Sequence, residues 1–206
     1  MKSTASTTVV IILIGCLTPA AAFAQMDAGL DQYQLLSDIG WAVHSVSGLG
    51  QWFTVGTDGV LSGAEFSLYS AGTVTEDLVV KVFDYTGGTL GALRGSTSIS
   101  IADLGPLETE LDLHAVTTTL IPLEHLGLAV SSGDALAIRF TTASISPAIY
   151  GIRGLMSDNY ANGSRVGSNG DANPDSDLMF KTFVAQPVFA DGFESSDTSF
   201  WSLTQP

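Results

Sequence analysis

The chain has 206 residues, of which 45% are hydrophobic and 14% are charged, and its formal net charge is −14 at pH 7. This composition is typical of a folded globular chain rather than a disordered one, and the length fits one main domain. So acidic a chain repels polyanions, which excludes nucleic acids as partners. No apolar run after residue 24 is long enough to cross a membrane as a helix, so the mature chain is predicted to lack a transmembrane segment.

Residues 1–24 have the pattern of an export signal. Lys2 precedes the apolar run 9–17, which is too short to span a bilayer. Residues 22–24 (AFA) then supply the small side chains that a signal peptidase accommodates. We therefore predict cleavage before Gln25 and a secreted or cell-surface protein.

A second interpretation of the same segment is a lipoprotein signal. Residues 13–16 (LIGC) resemble a lipobox, in which Cys16 would be acylated and become the new N-terminus. The apolar core before Cys16 would then be short, so cleavage before Gln25 is favoured. The mature chain would contain no cysteine and no disulfide framework.

Short segments in which apolar and polar residues alternate recur from about residue 40 to residue 184, as half-buried antiparallel strands require. Segment 78–85 is almost entirely β-branched or aromatic and is closed by Gly87-Gly88, which predicts a central strand followed by a tight turn. The best helical candidate, 102–107, is interrupted by Gly105-Pro106 and fits one turn at most. The predicted strands are 51–55, 60–69, 78–85, 98–101, 110–113, 135–140, 148–153 and 178–184.

About eight or nine strands around one core predict an all-β fold, an antiparallel β-sandwich of the jelly-roll type, over residues 25–184. Residues 157–177 are rich in Asn, Gly, Ser and Asp and are predicted to form a long loop, which is either functional or simply flexible. Residues 185–206 are predicted to form a C-terminal tail.

The same polar segment contains a candidate calcium site. Asp171, Asn173, Asp175 and Asp177 place oxygen-bearing side chains at alternate positions, which a turning loop can converge on one calcium ion. An EF-hand is excluded because Ser176 stands where that loop needs glycine. The alternative is an ordinary turn in which Asp and Asn side chains bond to their own backbone.

Aromatic side chains suggest a candidate glycan site, because the apolar C–H faces of sugar rings pack on flat rings. Tyr150 and Tyr160, with Arg153 and Asn162 near the polar segment, are the favoured ligand-binding residues. The alternative is that the rings belong to the core, which is the expectation for Trp52 in particular. The aromatic residues considered are Trp41, Trp52, Tyr69, Tyr85, Tyr150 and Tyr160.

No catalytic motif is present: there is no G-x-S-x-G, P-loop or dinucleotide fingerprint, and the histidines lack metal-binding spacing. A polysaccharide hydrolase would need a second acid facing Glu108 or Asp158. The sequence therefore favours a non-enzymatic module that contacts glycan, matrix or a surface protein. An extracellular hydrolase and a purely structural surface module are the alternatives.

Segments 84–93 (DYTGGTLGAL), 136–138 (LAI), 150–154 (YGIRG) and 160–163 (YANG) resemble the β-sandwich domains of bacterial secreted "choice-of-anchor" proteins. The resemblance covers roughly residues 45–184. It implies an extracellular or cell-surface jelly-roll without an established activity.

The end of the chain carries a second resemblance. Residues 191–201 (DGFESSDTSFW) are similar to a D-G-F-E-S-G-D-x-S-x-W tail found on many exported proteins of gammaproteobacteria, with Ser196 in place of the usual glycine. No apolar helix or basic cluster follows, which distinguishes the tail from a PEP-CTERM sorting signal.

Overall fold

The computed structural model describes residues 26–43, 48–108, 117–143 and 149–187. Within these ranges the regular structure is mostly antiparallel strand, with little helix, which confirms the predicted all-β class. The strands are β1 (Met26–Gln34), β2 (Ile39–Val43), β3 (Leu49–Thr54), β4 (Gly59–Phe66), β5 (Leu68–Ala71), β6 (Leu78–Thr86), β7 (Thr89–Ile99), β8 (Thr119–Pro122), β9 (Ala129–Val130), β10 (Ala135–Thr142), β11 (Ile149–Leu155), β12 (Gly163–Val166), β13 (Ala172–Asn173), β14 (Asp177–Leu178) and β15 (Phe180–Pro187). A one-turn helix, α1 (Ile101–Leu104), and a 3₁₀ turn at Glu124–Leu126 complete the described elements.

These strands form three sheets, and the pairings between them are antiparallel. A six-stranded sheet has the order β13-β12-β3-β10-β6-β7. A five-stranded sheet has the order β1-β15-β4-β8, with β9 also paired to β4. A four-stranded sheet has the order β14-β11-β2, with β5 also paired to β11.

The core lies between the six-stranded sheet and the other two sheets. Phe140 of the six-stranded sheet meets Phe66 of the five-stranded sheet edge to face, with ring centroids 4.7 Å apart. Phe53 and Phe180 make a second contact across the two sheets at 6.2 Å. All four rings are completely buried, and each such burial stabilises the fold by about 1.5–3 kcal/mol. The molecule is thus a β-sandwich, as predicted.

The four-stranded sheet begins where β4 and β15 diverge. Their pairing ends with Ser67 N donating to Met179 O (3.2 Å). Arg153 of β11 then enters between them: its N–H donates to Ser67 O (2.9 Å), and its carbonyl accepts from Met179 N (2.8 Å). The backbone groups of the diverging strands are satisfied in this way, as buried groups must be.

Several predicted elements are confirmed and others need correction. β6 lies between β10 and β7, so segment 78–85 is a central strand as predicted. The predicted loop 157–177 is wrong in part, because it contains β12, which pairs with β3. The predicted strand 98–101 is also wrong at its end: β7 stops at Ile99, and Ser100 caps α1 by accepting from the backbone N–H of Asp103.

Other predictions fall outside the described residues. These are the export signal 1–24 with its Gln25 and Cys16 alternatives, the strand 110–113, and the tail motif 191–201. The jelly-roll order of strands stays a prediction. Within the described ranges, no helix has the length and apolar character needed to cross a membrane.

Candidate functional site

The face of the six-stranded sheet that points away from the core, called the outer face below, carries a row of aromatic and small side chains. Register places Trp52 of β3 and Phe83 of β6 opposite Ala137 of β10, on its two sides. Trp52 and Phe83 are partly exposed, and Leu93 of β7, opposite Phe83, is 54% exposed. Ala137 is completely buried, so the exposed apolar surface of the outer face comes from β3, β6 and β7.

The Trp52 ring is fixed in position. It stacks on Tyr85 with ring centroids 5.1 Å apart and planes 8° from parallel. Its Nε1–H donates to Ser164 Oγ (2.8 Å), and the Tyr85 hydroxyl donates to Gly88 O (2.6 Å). Burial raises the pKa of Tyr85, and the nearby charge of Asp171 raises it further, so the hydroxyl remains a donor at neutral pH.

Two hairpins meet over one end of the outer face. The β6–β7 turn has positive φ at Gly87 (63°) and Gly88 (85°), a conformation that favours glycine in two-residue hairpins. The carbonyl of Gly88 accepts from Ala172 N of the β12–β13 hairpin (3.0 Å), and Thr89 forms a bridge with Asp171. These contacts enclose Tyr85 and anchor the Trp52–Tyr85 pair.

The row next to the aromatic one carries two cations. Arg139 of β10 and Lys81 of β6 lie directly opposite each other. Arg139 Nη2 donates to Ser168 O (2.6 Å), and a methyl group on Gly48 would collide with its Nε. Burial lowers the pKa of Arg139, so its charge is partly desolvated.

Two of the four predicted glycan-binding residues, Tyr150 and Arg153, are completely buried. The Tyr150 hydroxyl donates to Glu76 O (2.6 Å), and burial, with a smaller effect of the nearby acids, raises its pKa to about 12. Arg153 donates to Ser67 Oγ (3.1 Å) and to Glu108, and it lies over the Tyr69 ring at 5.3 Å. The structure places both side chains in the interior.

The other two predicted glycan-binding residues, Tyr160 and Asn162, lie in different environments. Tyr160 is 7% exposed, packs edge to face on Phe180 (5.2 Å), and donates to Gln32 Oε1 (2.7 Å). Burial strongly raises the Tyr160 pKa. Asn162 is exposed, and its carbonyl accepts from Thr54 N (2.9 Å). The four predicted residues therefore do not share one exposed patch.

Of the predicted calcium ligands, Asp177 is completely buried. Its carboxylate accepts from Gln51 Nε2 (3.1 Å) and from the backbone N–H groups of Asn159 and Tyr160 (2.9 Å each). Burial raises its pKa, although these three hydrogen bonds act in the opposite direction. In this structure Asp177 anchors segment 159–160 to the core.

The other three candidate ligands, Asp171, Asn173 and Asp175, lie nearer the surface. Asp171 and Asp175 are exposed, and Asn173 in β13 is partly exposed. Asn169 makes an Asx-type bond, since its Oδ1 accepts from Asp171 N (3.2 Å). Across the described ranges, no three His, Cys, Asp or Glu side chains are grouped to hold a metal ion. Calcium binding stays a prediction.

Glu108 borders a cavity of about 450 Å³ whose lining includes Leu104 and Leu120. One carboxylate oxygen accepts from Arg153 and the other from Thr117 Oγ1. The charged side chain that contacts Glu108 is therefore Arg153, and a glycosidase would need a second acid there.

Asp158, the other acid considered for hydrolysis, is exposed. Its charge contributes to the raised pKa of Asp177. Because Asp177 is completely buried, this pair of acids does not face a substrate cleft.

No family model matches this chain, and no curated protein is significantly similar to it. The resemblance to choice-of-anchor sandwiches stays a prediction.

Proposed function

We propose that the protein is a non-enzymatic, exported β-sandwich module that binds extracellular glycan on the outer face of its six-stranded sheet. The observation that carries this proposal is the aromatic row, in which partly exposed Trp52 and Phe83 flank Ala137. The Trp52 ring, which its contacts with Tyr85 and Ser164 already fix, loses little conformational entropy when a ligand binds. The sequence contributes the predicted export signal.

The aromatic row offers a saccharide chain two partly exposed rings on nearby strands. Trp52 and Phe83 are separated by one strand, so their backbone positions lie roughly 9–10 Å apart, since neighbouring strands are about 4.8 Å apart. The Trp52 ring extends from its strand toward β6, where it stacks on Tyr85 with ring centroids 5.1 Å apart. Ala137, which lies between these strands, is completely buried, so Trp52 and Phe83 are the residues of the row that a sugar would contact.

Two observations favour this proposal over the hydrolase alternative. Glu108 is bound by Arg153, and Asp177 is buried, so neither is available as one of a pair of reacting carboxylates. The purely structural module differs by requiring no glycan at all. Binding measurements therefore separate these classes.

We test the proposal by affinity electrophoresis of the purified protein through gels containing soluble xylan, glucuronoxylan or cellulose derivatives. Phe83→Ala should weaken binding about tenfold, which corresponds to roughly 1.4 kcal/mol. Phe183→Ala is the matched control, because this partly exposed ring lies in a different sheet. Circular dichroism would check that both variants remain folded.

If none of the polymers retards the wild-type protein, or if Phe83→Ala and Phe183→Ala migrate alike, the outer face is not a glycan site. If a polymer retards the wild type and Phe83→Ala equally, glycan binds elsewhere on the protein. If no polymer retards the wild type, the structural module is favoured.

A further inference from the structure

Of the six Lys and Arg side chains that the structure describes, four pair with an acid or stack on a ring, and the other two lie on the outer face. The full sequence has seven Lys and Arg against 21 Asp and Glu. Arg165 lies over the Trp41 ring at 4.8 Å. The salt bridges are Arg94 with Asp84, Arg153 with Glu108, and Lys181 with Glu65. As far as the structure describes the chain, the side chains of Lys81 and Arg139 form no salt bridge with a carboxylate.

Lys81 and Arg139 lie directly opposite each other on neighbouring strands. Like charges in this position destabilise a sheet. An acidic chain has ample carboxylates with which to neutralise them, yet Ser96 stands opposite Lys81 on the next strand. Two adjacent cations held at a cost in stability are typical of a site that meets an anionic ligand.

The Arg139 side chain is held in position rather than free to swing away. Ser168 O accepts from its Nη2 (2.6 Å), and the absence of a side chain on Gly48 lets it lie close to the backbone. Its Nε is buried without a hydrogen-bond partner among the described residues. A fixed guanidinium loses little freedom when it binds a carboxylate.

The cation pair lies two residues along the strands from the aromatic row, since Arg139 follows Ala137 and Lys81 precedes Phe83 on the same face. Two residues of strand span roughly 6.6 Å. A carboxylate attached to a sugar that packs on the aromatic row can therefore reach the pair. The two positive charges, at this distance from the aromatic row, suit a sugar that carries a carboxylate.

We infer that the glycan is an acidic one, and that Lys81 and Arg139 bind the carboxylate of a uronate-type sugar. This inference rests on the proposed glycan-binding function. The net charge of −14 disfavours densely charged polymers, because repulsion acts over a Debye length of about 8 Å at physiological salt. The ligand is therefore a largely neutral polysaccharide with isolated carboxylates.

Calorimetric titration with matched polymers tests the inference. The probes are glucuronoxylan and lightly carboxymethylated cellulose, each beside an uncharged counterpart, carboxyl-reduced glucuronoxylan and hydroxyethyl cellulose. We expect at least one charged polymer to bind about tenfold more tightly than its counterpart. Lys81→Gln should weaken that preference, with Arg139 still present, while leaving affinity for the uncharged polymer unchanged.

Lys181→Gln, in a different sheet, is the control and should keep the preference. Lys81→Gln should also melt no lower than the wild type, because it removes a like-charge contact. Equal affinity for charged and uncharged polymers would overturn the inference and leave the proposed function standing. Binding of none of the four polymers would contradict the proposed function itself.

Discussion

At the scale of single residues, Asp177 illustrates how the same side chain supports two interpretations. Its alternation with Asp171, Asn173 and Asp175 predicts a metal ligand from the sequence. In the structure Asp177 instead accepts three hydrogen bonds inside the core. One donor, Gln51, is 126 residues away in the chain, so no local pattern reveals it.

Titration of Asp177 makes the stability of the fold depend on pH. Its pKa in the folded state lies above the ordinary value of 3.8, chiefly because of burial. Between these two values the native state holds a proton that the unfolded state has lost, so in this window the contribution of Asp177 to stability falls as pH rises. Asp177→Asn removes that titration. Relative to this variant, the wild type should therefore gain stability as pH falls toward 4.

Urea unfolding of wild type and Asp177→Asn from pH 7 to pH 4 checks this expectation. Asp175→Asn is the matched control, because Asp175 is exposed and its substitution should change the unfolding free energy by less than about 0.5 kcal/mol. If the difference in unfolding free energy between the wild type and Asp177→Asn does not change with pH, the carboxylate does not titrate in the core.

The glycan residues show the same limit of local reasoning. Tyr150 and Arg153 precede the polar segment 157–177, which suggested a surface, but β11 carries both into the interior. Trp52, for which the core was the expectation, instead lies on the outer face with its ring partly exposed. Which face of a strand is buried depends on how the sheets pack, and the sequence does not show that packing.

At the scale of elements, a strand could be predicted from the sequence where its residues are densely apolar. Short strands without that pattern could not. β6 is recognisable because most of its residues are β-branched or aromatic. β12 has the sequence Gly-Ser-Arg-Val and is a strand only because β3 and β13 pair with it. Its strand conformation comes from tertiary contacts, which the β-propensity of its residues does not predict.

The turn of the β6–β7 hairpin lies over one end of the outer face, so its stability affects that face. Gly88→Ala should destabilise the fold by about 1–2 kcal/mol, because a side chain is strained at its φ of 85°. Gly87→Asn is the control and should be nearly neutral, since asparagine tolerates the left-handed conformation in such turns. Urea unfolding followed by tryptophan fluorescence measures both variants, and equal stability of the two would contradict this role of Gly88.

At the scale of the whole molecule, the all-β sandwich could be predicted because period-two alternation recurs along most of the chain. The division into three sheets could not, because it depends on β11 pairing with β5 before Arg153 and with β14 after it. Charge also acts at this scale. A net charge of −14 makes the cation pair on the outer face exceptional, and the aromatic row beside it makes that face the strongest candidate for binding.

The most direct test of the central claim is a heteronuclear NMR titration of the protein with soluble glucuronoxylan fragments. If glycan binds the outer face, the largest amide shifts should cluster at Trp52, Ala137 and Phe83 and extend to Lys81 and Arg139. Shifts confined to the five-stranded sheet, or none at saturating ligand, would contradict glycan binding at the outer face.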